Sequence, residues 1–70
     1  MKPWQKRLIE ERDELDARRI KLINLIVSPK FASITEEDRI LLKQQEVLML
    51  KLFEVLCERI ARFEVSNEPH

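Results

Sequence analysis

The chain is predicted to be all-α: a two-helix antiparallel hairpin, with helices over about residues 3–27 and 35–64, that assembles into a helical oligomer. Three observations predict it. Glycine is absent, and only one of the three prolines, Pro29, lies inside the chain and away from its ends. Apolar residues recur at helical spacing on both sides of Pro29. Those on the C-terminal side carry more apolar surface than one partner helix covers. The organisation expected is one hairpin domain over 1–64 and a flexible tail over 65–70.

The first helix opens at Pro3, where a missing N–H costs nothing. Its seam is Trp4, Leu8, Leu15, Leu22 and Leu25, with Glu11 and Arg18 in the gaps. Ile9, Ile20 and Ile23 form a second stripe on an adjacent face. Lys6/Glu10, Arg7/Glu11 and Glu14/Arg18 lie four apart and supply a solvated charged face. Pro29 ends this helix, because the residue before a proline leaves the α region. Residues 28–34 then form a connector with room for a short helical turn, closed by Phe31 and Ile34.

Thr35 is the expected N-cap of the second helix, with Glu36, Glu37 and Asp38 placing negative charge in its first turn. Ser33 with Glu36 offers a competing capping box. The principal seam is read as Leu41, Leu48, Leu52, Val55 and Phe63, interrupted by Gln45 and Arg59. A flanking stripe of Met49, Phe53, Leu56 and Ile60 is assigned to other subunits. Facing residue numbers in such a hairpin add to roughly 63. That places Leu15 near Leu48, Arg18 near Gln45 and Trp4 near Arg59, the last as a cation–π pair.

Composition narrows the function. Seventy residues bury only roughly 60% of their unfolded surface, so a monomeric core is marginal. One cysteine allows no internal disulfide, and one histidine builds no Cys/His zinc site, which leaves self-association. Thirteen basic residues balance thirteen acidic ones, so general attraction to DNA, RNA or anionic lipid is not expected. No apolar run of about 18 residues predicts a membrane span, and the basic start lacks the apolar core of a signal peptide. A lone cysteine suits a reducing cytoplasm. No Gly-rich phosphate loop, Ser/His/Asp set or metal-ligand spacing is present, so neither an enzyme nor a metal or cofactor site is expected.

The candidate ligand-binding residues are Arg59, Trp4, Arg7, Lys6 and Phe63. Arg59 interrupts an apolar seam; its stem covers that seam, or its fork donates in pairs to a phosphate. Trp4 plugs the open end of the hairpin or stacks on a base. Lys2, Lys6 and Arg7 make that end locally positive within a neutral chain. Cys57 is expected to be a small buried apolar residue, with no His or Asp placed to activate it.

The pattern Arg7-Leu8-Ile9-Glu10-Glu11, Glu14-Leu15-Asp16 and Lys21-Leu22 begins a resemblance. It continues through Ser28-Pro29-Lys30-Phe31, Glu36-Glu37-Asp38, Leu41-Leu42, Gln45, Met49 and Leu56 to Glu58-Arg59-Ile60-Ala61 and Phe63. The chain resembles the small phage helical-hairpin proteins that include the anti-CBASS cyclic-nucleotide sponge and share the hairpin with the Thoeris-antagonising sponge. The resemblance covers about residues 7 to 63. It implies a non-enzymatic anti-defence protein that sequesters cyclic di- or trinucleotide signals between protomers of an oligomer, in the sponge a hexamer, in the host cytoplasm. It also implies a phosphate-contacting role for Arg59, and Phe63 belongs to the matched pattern. Leu52 departs from an expected aromatic and Cys57 from a glycine. The alternative is a structural hairpin whose wide apolar face binds a partner helix without any nucleotide.

Overall fold

In a computed structural model of the chain, residues 1–63 are described, and they form a helical hairpin about one molecule-length of 49 Å long. The order is α1 (Pro3–Ile26), a 3-10 turn (Pro29–Ser33) and α2 (Glu36–Ala61). The helices run antiparallel, as predicted, and both ends fall within three residues of the expected bounds. The tail expected over 65–70 lies outside the described residues.

Local chemistry explains each end. Pro3 occupies the first turn of α1, and the Gln5 side-chain oxygen accepts the Lys2 N–H at 2.9 Å. Ahead of Pro29 the Ser28 hydroxyl donates to the Leu25 carbonyl at 2.7 Å and satisfies one of the orphan acceptors there. Thr35 caps α2, its hydroxyl accepting the Asp38 N–H at 3.3 Å, and Glu36, Glu37 and Asp38 fill the first turn. The competing box does not form: the Ser33 hydroxyl donates back to the Lys30 carbonyl at 2.7 Å.

The packing corrects the sequence reading in one respect that matters. The stripe of α2 that meets α1 runs through Leu42, Glu46, Met49, Phe53, Leu56 and Ile60, all buried or half-buried. Leu56 is its centre, at 2% exposure. The expected seam faces outward instead: Leu41, Leu48, Leu52 and Val55 are exposed, Leu48 at 65%. Met49 and Phe53, assigned above to other subunits, are already partly covered by α1. Arg18 and Gln45, expected to face each other, are both exposed.

The reason lies in α1. Its inner face carries Leu8, Leu15 and Leu22, but the gaps are filled by half-buried Arg12 and Arg19, whereas Glu11 and Arg18 are exposed. Arg19 needs a carboxylate and an aromatic face, and only the inner stripe of α2 supplies both. Its guanidinium meets the Glu46 carboxylate at 3.1 Å, lies 5.7 Å from the Phe53 ring centroid and reaches Asp16 at 3.7 Å. At the places corresponding to Glu46 and Phe53 the Leu41 stripe offers Gln45 and Leu52, and satisfies neither need.

The register also moves. Arg19 meets Glu46, two residues beyond its expected partner, and Trp4 meets Phe63, four beyond Arg59. The 3-10 turn with its flanking residues shifts the midpoint of the connection toward α2. Phe31 and Ile34 are half-buried there, with the Lys43 ammonium 5.7 Å from the Phe31 ring. None of Lys6/Glu10, Arg7/Glu11 and Glu14/Arg18 closes to ion-pair distance; Arg12 pairs with its neighbour Asp13 at 3.1 Å.

Candidate functional site

The open end of the hairpin is built by the first turn of α1 and the last turn of α2. Trp4 and Phe63 meet there edge to face, with ring centroids 5.2 Å apart and planes at 89°. Both rings are half-buried, so the pair closes the core while leaving aromatic surface open. Phe63 reaches this position because α2 ends in a turn: the Arg62 N–H bonds back to Glu58 and Arg59, and the Phe63 N–H to Ile60. A shallow groove lined by Gln5, Ile9, Ile60 and Phe63 runs beside the pair.

Arg59 precedes Phe63 by four residues and is half-buried. It continues the outer stripe of Leu48, Leu52 and Val55, and its fork has no ion-pair partner among the described residues. Arg7, three residues after Trp4, shares that face of α1 and is exposed. Lys6 does not join them. Two residues after Trp4 it lies roughly 200° around the helix, on the side away from α2, and it is exposed.

The structure therefore brings Trp4 and Phe63 together, with Arg59 one helical turn before Phe63 and Arg7 one turn after Trp4, and leaves Lys6 apart. In one hairpin this is an open aromatic ledge, with Arg7 and Arg59 each one helical turn further into its own helix. It encloses nothing, so capture of a whole ligand needs surface from another chain. Cys57, expected to be buried, is half-buried and free. Among the described residues no group of three His, Cys, Asp or Glu side chains is placed to hold a metal ion.

A second cationic feature escaped the sequence reading. At the closed end Phe31, Glu36, Arg39, Ile40 and Lys43 line a small groove. The available signal was the four-residue spacing of Arg39 and Lys43, which stacks them on one face of α2 just beyond the turn.

The Sequestin family model matches residues 2–62. The match spans both helices and includes Trp4, Lys6, Arg7 and Arg59. No curated protein and no solved structure matches the chain.

Proposed function

The chain belongs to the Sequestin family, and from that premise we propose that it captures cyclic di- or trinucleotide immune signals in pockets between subunits of a homo-oligomer, six to an assembly. Membership makes it a non-enzymatic phage anti-defence protein that sequesters a nucleotide signal. Capture without cleavage keeps the signal from its effectors while the molecule stays intact.

The observation that carries the reading is the exposed apolar stripe of α2, which ends in Arg59 one helical turn before Phe63 of the Trp4–Phe63 pair. A stripe of this length on a monomer of this size calls for a cover. Covering it with further copies brings the open aromatic ledge of one subunit against another and encloses it. Arg59 then donates its fork to a phosphate, and Trp4 or Phe63 offers a ring to a base. Arg7 adds a second cation, and Lys6 reaches a pocket only from a neighbouring subunit. Among the described residues no helix is long and apolar enough to cross a membrane, and the host cytoplasm is the place where such signals are met.

Isothermal titration against cyclic dinucleotides, cyclic trinucleotides and cyclic ADP-ribose isomers tests this. At least one should give heat and be recovered unchanged after release. Arg59→Ala should weaken that binding about ten- to a hundredfold, the loss expected for hydrogen bonds to a charged group. Absence of both heat and thermal shift with every member of the panel contradicts the reading. It would leave the rival, a hairpin whose stripe receives another protein's helix.

A further inference from the structure

We propose that the outer stripe of α2 pairs with the same stripe of a second copy, antiparallel, with Leu52 of each chain against Val55 of the other and Lys51 of each facing Glu58 of the other. This rests on the self-association in the sequestering reading and gives it a surface, a direction and a register.

The stripe Leu41, Gln45, Leu48, Leu52, Val55 and Arg59 advances in steps of four and three without exception. That is the seam of a coiled coil. It lies one residue, roughly 100°, from the inner stripe that α1 occupies, and its four apolar members are exposed. On α1 the residues on the side of Trp4 include exposed Arg7, Glu11 and Arg18. A second copy therefore meets α2 and not the hairpin's first helix.

Direction follows from Arg59 and Gln45. Parallel pairing sets Arg59 against Arg59 in one layer, where like charges oppose each other. Antiparallel pairing about a two-fold axis avoids this and makes the surface self-complementary. On one side of the seam Met49 and Leu56 are committed to α1, so the register is read on the other side, where Gln44 is neutral and Lys51 and Glu58 carry opposite charges. Lys51 and Glu58 are exposed, and neither has an ion-pair partner among the described residues.

Three registers separated by one heptad then compete. Centring the axis between Leu52 and Val55 gives two Lys51–Glu58 pairs, an apolar centre, Arg59 laid along Leu48, and Gln45 opposite Arg62. Sliding by one heptad toward the N-terminus sets Lys51 against Lys51 and Gln45 against Val55. A further heptad sets Glu37 against Glu58 and Asp38 against Val55. Only the first has opposite charges at the flank and no polar group facing an apolar one at its centre.

Sedimentation equilibrium at low salt on the full chain distinguishes these. Lys51→Glu and Glu58→Lys should each weaken self-association roughly tenfold, since each turns two attractive pairs into two repulsive ones. The double variant should restore it to within about threefold. Association constants are compared at matched folded fraction, read by circular dichroism, because weaker association also lowers the stability of a hairpin whose folding is coupled to assembly. A double variant no tighter than the single ones overturns the register, as does a Lys51→Glu variant that associates as well as the parent. Calorimetry with the cyclic-nucleotide panel on the same samples keeps the two ideas separate. Charge swaps that behave as stated without nucleotide heat support the register and contradict sequestration; nucleotide heat with an association indifferent to the swaps does the reverse.

Discussion

On α2, the stripe through Met49, Phe53 and Leu56 and the stripe through Leu48, Leu52 and Val55 are one residue out of step, yet only the first meets α1. Both are apolar and both follow four-three spacing. What separates them is the polar residue each contains. The inner stripe has Glu46, which answers Arg19 at 3.1 Å, and Phe53, which lies under the same guanidinium. The outer stripe has Gln45 and Arg59, which answer nothing on α1. In a small hairpin, apolar area draws two helices together without choosing a face; one partly buried charge and its partner choose it.

The inner face also shows how little core a single hairpin has. Leu8, Leu22 and Leu56 are its only buried residues among those described, and Leu56 alone is fully buried. A core of that size is marginal for a chain of this length. On the proposed pairing, folding and assembly are coupled, and covering the outer stripe would stabilise the hairpin through mass action.

Leu56→Ala should have the largest effect on the fold, about 3 kcal/mol, because it removes the most buried side chain and leaves a cavity. Chemical denaturation at fixed protein concentration should show it as a chain largely unfolded near 25 °C. Leu52→Lys addresses the other stripe. It should convert the assembly to single hairpins by sedimentation and abolish the rise of melting temperature with protein concentration that coupled folding and assembly predict for the parent. A Leu52→Lys chain that still assembles breaks the assignment of the two stripes.

Arg19→Met sharpens the comparison at its decisive point. With Glu46 about a fifth exposed (side chain 21%), loss of its partner should cost about 1–2 kcal/mol. Arg19→Met combined with Glu46→Leu should recover most of that, read by the same denaturation curves. Failure of the double to recover would place the choice of face elsewhere. Thr35→Ala should cost about 1 kcal/mol, the usual worth of a cap, and leave self-association at matched folded fraction unchanged.

The hairpin itself was legible because its signals are local. Pro29 stops one helix, Thr35 with its acidic first turn starts the next, and the absence of glycine keeps both long. The choice of face was not legible from periodicity, since two stripes one residue apart give the same period. The signal that existed was Arg12 and Arg19, spaced seven apart in line with Leu8, Leu15 and Leu22. An arginine in an inner stripe asks for a carboxylate, and among the α2 residues in four-three step with Leu56 only Glu46 is one. The antiparallel topology puts Trp4, Arg7 and Phe63 of the candidate set at the open end of the hairpin, and the structure has Trp4 and Phe63 in contact there. Lys6 was grouped with them by closeness in sequence, and two residues along a helix point nearly opposite ways.

Native mass spectrometry of the parent and of Arg59→Ala, each with the cyclic nucleotide that gives the largest heat, tests sequestration between subunits most directly. The account predicts an oligomer of the parent carrying intact ligand, an Arg59→Ala oligomer of the same subunit number carrying far less of it, and no ligand on single chains. Ligand retained by single hairpins, or held equally by both proteins, would contradict it.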